Sequence, residues 1–242
     1  MLHSIKLSAL TAAFCFISIT PSHAEDAWSY AGDKGFQHWG SLNEKYATCD
    51  TGHHQSPINI SDLSFDETLP ELKPNYTLSN LSVVNNGHTI QANVQEGSSL
   101  TIGDERFELL QLHFHTPSEH YINGTPFPME LHFVHRNQSG ELAVLGVMFK
   151  VGETNPALDT LWNAAGSDAS VSVSTEDLLP QKLSYFRYDG SLTTPPCSEG
   201  VKWHVVPHPV SVSEEQLLAF QELFPVNARP IQPKHNRAVK TK

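Results

Sequence analysis

Residues 111–135 read QLHFHTPSEHYINGTPFPMELHFVH, and the rest of the chain makes most sense as their support. Two short apolar and aromatic segments, 111–115 and 130–135, flank a connection carrying Pro117, Asn123, Gly124, Pro126 and Pro128. In a β-strand alternate side chains leave on opposite faces. The first segment then shows Gln111, His113 and His115 on one face, with Leu112 and Phe114 on the other. The second shows Glu130, His132 and Val134, opposed by Leu131, Phe133 and His135. If the two strands pair, three imidazoles converge. Three histidines with an open fourth position form the ligand set of a catalytic zinc.

The neighbours sharpen this. A metal-bound imidazole usually gives its other N–H to an oxygen acceptor, and Gln111 and Glu130 each precede a proposed ligand by two residues on its face. The run His113-x-His115-x-x-x-Glu119 also fits a cupin-like metalloenzyme, in which the glutamate is itself a ligand. A cupin would need further glycine spacing and a later Pro-x-Gly-x-x-His segment, and the sequence has neither.

Working outward, residues 75–85, 88–94, 99–102, 106–115, 130–136 and 141–151 alternate or form short apolar runs between turn residues, and they predict strands. Asn86-Gly87 marks a tight turn between two of them. Residues 142–151, apolar on both faces, belong centrally in a sheet. Helices are few: 155–165, with Pro156 in its first turn, and 213–224, with Ser213 and Gln216 as a capping box and Pro225 as its stop. Residues 25–50, with Trp28, Tyr30, Phe36 and Trp39, read as an arm laying rings on the body. The fold class is mostly β with few short helices, one domain around a large, mainly antiparallel twisted sheet.

Composition agrees with a globular protein. Charged residues are 17% and hydrophobic residues 39% of the 242, outside the disordered range. Residues 1–24 resemble a signal peptide: Lys6, the apolar run 7–19 and a small-x-small site at Ser22-His23-Ala24. The apolar run is shorter than the ~20 residues of a membrane span, and no later stretch reaches it. The folded domain is therefore expected at 25–242, in the periplasm or secreted. Cys15 leaves with the signal, so Cys49 and Cys197 either pair as one disulfide or stand as separate buried thiols; an exported chain favours the pair. The formal charge of −11, with no basic stripe, argues against nucleic-acid binding.

At this point a resemblance becomes specific. The segments Trp28-x-Tyr30, Gln55 to Ile60 (QSPINI), Asn85-Asn86-Gly87-His88, Gln111-x-His113-x-His115, Ser118-Glu119-His120, Glu130-Leu131-His132-x-Val134-His135, Ala143 to Gly146 (AVLG), Gly190 to Pro196 (GSLTTPP) and Asn227-x-Arg229-Pro230 stand in the order of an α-class carbonic anhydrase. The sequence is identified as a member of that family, of the exported bacterial type. The resemblance implies zinc on His113, His115 and His132, and reversible hydration of carbon dioxide to bicarbonate and a proton by attack of zinc-bound hydroxide. Thr193 would accept a hydrogen bond from the hydroxide and donate its own O–H to Glu119, which then is not a ligand. His88 would carry protons, as an imidazole titrating near ~6.5 can. Val134, Val144, Leu192, Thr194, Val201 and Trp203 would line the place of carbon dioxide. Cys49 and Cys197 match the paired cysteines of exported members, and a bridge there would brace the loop of Thr193. Thr116 and Ala228 stand where the family usually has tryptophan, and the short link to Ser118-Glu119-His120 should leave the cavity more open. A non-catalytic zinc-binding or carbonic-anhydrase-related binding protein is the alternative, and a homodimer is among the assemblies open to the chain.

Overall fold

The computed structural model describes residues 28–242, apart from 166, 168 and 169; the expected signal segment and Cys15 lie outside the described residues. The chain begins as the aromatic arm its composition predicts. Trp28 and Tyr30 precede a set of short helical turns that includes α1 (Trp39–Leu42) and α2 (Thr48–Thr51), and the rings of Trp28, Tyr30 and Trp39 meet edge to face at 5.1–5.9 Å. Cys49 of this arm is bonded to Cys197, closing a span of 148 residues.

Strands follow: β1 (Asn59–Ile60), β2 (Leu63–Phe65), β3 (Leu72–Asn75), β4 (Leu78–Asn85), β5 (Ile90–Val94), β6 (Ser99–Ile102), β7 (Glu105–His115), β8 (Tyr121–Ile122), β9 (Thr125–Pro126), β10 (Met129–Arg136) and β11 (Leu142–Val151). After helix α3 (Pro156–Ala164) come β12 (Ser170–Ser174), β13 (Phe186–Ser191) and β14 (Glu199–Val212), then helix α4 (Glu214–Leu223) and β15 (Val239–Thr241). β1, β8 and β9 make a small sheet. The other twelve form one sheet in the order β12-β4-β5-β7-β10-β11-β14-β13-β15-β2, with β6 on β7 and β3 on β6. In this large sheet only β11–β14 and β15–β2 run parallel, and in the small one β1–β8 does. Among the described residues no helix is long and apolar enough to cross a membrane.

Burial on both faces explains the apolar strands at the centre. Leu112, Phe114, Leu131, Phe133, Leu145, Val147 and Phe149 face a core closed by α3 and α4, including Leu158, Leu161, Leu217 and Phe220. Val134, Val144, Met148, Val201, Trp203 and Val205 pack on the opposite side. α4 starts as expected, with Ser213 and Gln216 bonded reciprocally as a capping box.

Two readings need correction. The run 75–85 is not one strand: β3 ends at Asn75 and β4 begins at Leu78, because Tyr76 turns inward, its hydroxyl 2.7 Å from His135 Nε2. β14, with 14 residues the longest strand, was not anticipated from the sequence. Pro207 and Pro209 interrupt its pattern, and both fall where the β11–β14 register shifts, from Val147–Val206 to Phe149–Val210. Prolines without an N–H are tolerated at such a bulge.

Candidate metal centre

β7 and β10 pair antiparallel with His113 opposite His132 and Glu130 opposite His115. Alternation does the rest. His113, His115 and His132 each offer a ring nitrogen, and the three lie within 4.8 Å of one another. His115 and His132 are buried to 1% exposure. Burial, then the neighbouring imidazoles, holds His113 well below the ordinary histidine range. Burial also lowers His115. Both are therefore neutral at pH 7, the state in which imidazole is a metal ligand.

The outward nitrogens are all engaged. His113 Nδ1–H donates to Gln111 Oε1 at 2.8 Å, His115 Nδ1–H to the carbonyl of Asn227 at 2.7 Å, and His132 Nε2–H to Glu130 Oε1 at 2.9 Å. These bonds fix each tautomer and leave Nε2, Nε2 and Nδ1 as the available ligand atoms. His115 Nε2 is buried without a hydrogen-bond partner. An orphaned buried nitrogen costs about 1–3 kcal/mol, and a zinc held among the three imidazoles would satisfy it, so the residues fit that ion.

Glu130 is the anchor of the outer shell. Oε1 also accepts from His120 Nδ1–H at 2.8 Å, and Oε2 from the His120 backbone N–H at 2.9 Å. Burial by itself would raise this carboxyl, but the two imidazoles outweigh it and hold it well below the usual carboxylate range. His120 Nε2 in turn accepts the Tyr188 hydroxyl at 2.6 Å, and the Tyr188 oxygen lies 2.7 Å from Ser56 Oγ.

This sheet and this histidine trio have counterparts. The family model described as eukaryotic-type carbonic anhydrase matches residues 34–242. The chain belongs to the carbonic anhydrase family. A carbonic anhydrase of Pectobacterium carotovorum is 42% identical, with 97% of this chain and 98% of that protein covered. One of Nostoc sp. is 40% identical over 99% and 95%. The solved α-carbonic anhydrase from Thermovibrio ammonificans, in complex with the inhibitor sulfanilamide, superposes with a TM-score of 0.85 at 42% identity, covering 89% of this chain and 99% of that one. Family membership leaves no place for the cupin-like reading.

Around the carbonic anhydrase centre the structure places the other expected residues as follows. Glu119 is fully buried; Oε1 accepts from the Arg229 backbone N–H at 2.8 Å. Oε2 lies 3.5 Å from His115 Nε2 and 3.9 Å from His132 Nδ1 and has no hydrogen bond. The expected bond from Thr193 to Glu119 is thus not formed here, because Oε2 faces the imidazoles instead. Thr193 is buried in the loop after β13, which closes on itself through Leu192 N–H to Ser198 O and Cys197 N–H to Thr194 O. Val134, Val144, Val201 and Trp203 share one buried cluster, with Leu192 packed against it, and the Trp203 ring lies 4.8 Å from that of His132. Thr194 is half-buried. His88 sits at the tip of the β4–β5 turn, stacked on Trp28 at 3.8 Å and 8°, and half-burial lowers its pKa.

Sequence reasoning gave His115 no outer partner and His120 no role. Both answers lay in motifs already visible, Asn227-x-Arg229-Pro230 and Ser118-Glu119-His120. The local signal was missing because Asn227 acts through its carbonyl, which no side-chain pattern reveals.

Proposed function

We propose that the chain is a zinc-dependent carbonic anhydrase, hydrating carbon dioxide reversibly to bicarbonate and a proton. The observation that carries this reading is the converging trio of imidazoles whose outer N–H groups are all bonded. Zinc, when bound, supplies the Lewis acid that makes hydroxide available near neutral pH, a property of carbonic anhydrases at large. His113, His115 and His132 would hold it, oriented by Gln111, the Asn227 carbonyl and Glu130.

The remaining chemistry falls to other residues of the chain. Glu119 Oε1 is pinned by Arg229, so Oε2, which faces the imidazoles here, would have to turn to accept from the Thr193 hydroxyl. A threonine whose proton is committed to Glu119 presents only lone pairs, which would fix the orientation of the attacking oxygen. Carbon dioxide is small and nonpolar, and a wall of Val134, Val144, Leu192, Val201 and Trp203 suits it without charged contacts, with Thr194 at its edge. His88, exposed on one side, would hand the product proton to solvent.

A cleaved signal at 1–24 and a domain from 25 onward would put the enzyme in the periplasm or outside the cell, which the Cys49–Cys197 bridge supports. The deciding experiment is a carbon dioxide hydration assay with and without a zinc chelator. Activity should vanish with the metal and return with zinc. One zinc per chain with no hydration would make this a non-catalytic zinc-binding member of the family.

A further inference from the structure

Asn227 does more than receive the His115 N–H. The β5–β7 ladder stops at the pair Gln91–His113. The peptide of Phe114, lying between two of the three imidazoles, is therefore beyond the last ladder pair on that side. Buried peptide groups must find other partners, and here side chains replace the missing strand. Phe114 N–H donates to Thr89 Oγ1 at 3.2 Å. Its carbonyl accepts from Thr89 Oγ1–H at 2.6 Å and from Asn227 Nδ2–H at 2.9 Å.

The same Nδ2 donates to the carbonyl of His88 at 2.9 Å, while Asn227 Oδ1 accepts the Thr116 N–H at 2.7 Å. The Asn227 backbone completes the set, with its N–H on the Thr116 carbonyl at 3.1 Å and its carbonyl on His115 Nδ1. The turn bearing His88 is internally fixed: Asn85 Oδ1 accepts from Gly87 N–H, and Asn86 Oδ1 from the N–H groups of His88 and Thr89. It behaves as a small rigid unit, and Thr89 and Asn227 tie it to the end of the ligand strand.

We propose that the Asn227 carboxamide is a positioning residue for proton release, seating the His88 turn against β7 and so fixing the proton-carrying imidazole relative to the metal centre. The inference rests on His88 being that carrier. The site asks for two donors and one acceptor on a short stem. Asparagine supplies all three, whereas aspartate would set a carboxylate against two carbonyl oxygens.

The test uses Asn227→Asp in the full exported protein, with Asn227→Ser as the second variant should the first not fold. Amide hydrogen exchange at His88 and Thr89 is expected to accelerate about tenfold, with zinc and without, while amides of β11 keep their rates. In weak buffer kcat should fall about tenfold and kcat/KM by clearly less, because the return of the proton to solvent is the step the His88 turn governs. Added imidazole should restore kcat, and Asn227→Asp should cost nothing further on a His88→Ala background. Unchanged exchange at His88 and Thr89, or kcat and kcat/KM falling together without rescue, would overturn the proposal. If His88→Ala alone leaves kcat in weak buffer intact, the carrier reading fails and the positioning claim with it, while the exchange rates report separately whether Asn227 seats the turn.

Discussion

His120 donates through Nδ1 to Glu130 Oε1 at 2.8 Å, the same oxygen that receives the N–H of His132. One buried carboxylate thus orients an imidazole of the candidate metal centre and an inner-wall imidazole together. Glu130→Gln removes the charge and must place an NH2 toward either the two imidazoles or the His120 backbone N–H. Zinc affinity, measured by competition with a chelator, should weaken about 10- to 100-fold, the range for loss of an outer partner. Unchanged affinity would mean that Glu130 serves only the packing of His120.

The pairing of β7 with β10 was legible because alternation leaves a visible trace: His113, His115 and His132 could be set on one face before any coordinates. The same logic exposed Gln111 and Glu130 as their partners. It failed for β14, where two prolines at a register shift break the period, and for β15, too short to show one; β12 does alternate, as SVSVS, but was passed over. It also failed wherever a backbone group does the work. The Asn227 carbonyl on His115 and the Arg229 N–H on Glu119 depend on segments more than a hundred residues away in sequence, brought close only by the sheet.

The Cys49–Cys197 bridge is flanked by two side-chain contacts. The Cys197 carbonyl accepts from Gln55 Nε2 at 3.1 Å, and the Cys49 carbonyl from Arg229 Nη2 at 2.9 Å. Arg229 in turn holds Glu119. Loop entropy for a span of this length amounts to about 4–5 kcal/mol, an upper figure. Cys49→Ser should lower the thermal midpoint and also kcat, through loosening of the loop of Thr193. Stability falling with kcat intact would separate the bridge from the site.

Two buried histidines outside the metal-binding trio make the fold sensitive to acid. Burial lowers His135 to about 4 and His204 to about 3; their exposures are 0% and 2%. An unfolded histidine titrates near ~6.5, so between there and the folded values the unfolded chain binds more protons. Their contribution is whole above pH ~6.5 and is lost as pH falls toward 4, on the order of 3 kcal/mol for each group. Urea unfolding from pH 8 to 4.5 should show stability declining below pH ~6.5. His135→Gln should start less stable, having lost its bond to Tyr76, yet decline less steeply. An equal slope in the variant would assign the acid loss to other groups.

Trp28 covers one face of His88, with ring planes 8° apart, and Tyr30 approaches its edge at 6.4 Å. Burial, to which this cover contributes, holds His88 below the ordinary histidine value. A proton acceptor must be neutral to act, so a lower pKa extends its working range to more acidic solution. Trp28→Ala exposes the imidazole and lets its pKa rise toward ~6.5. The acidic limb of kcat in weak buffer should therefore move to higher pH, while the profile of kcat/KM, set at the metal centre, stays in place. NMR titration of His88 gives the matching shift directly. If the limb does not move although the NMR titration does, His88 is not the group that carries the proton out.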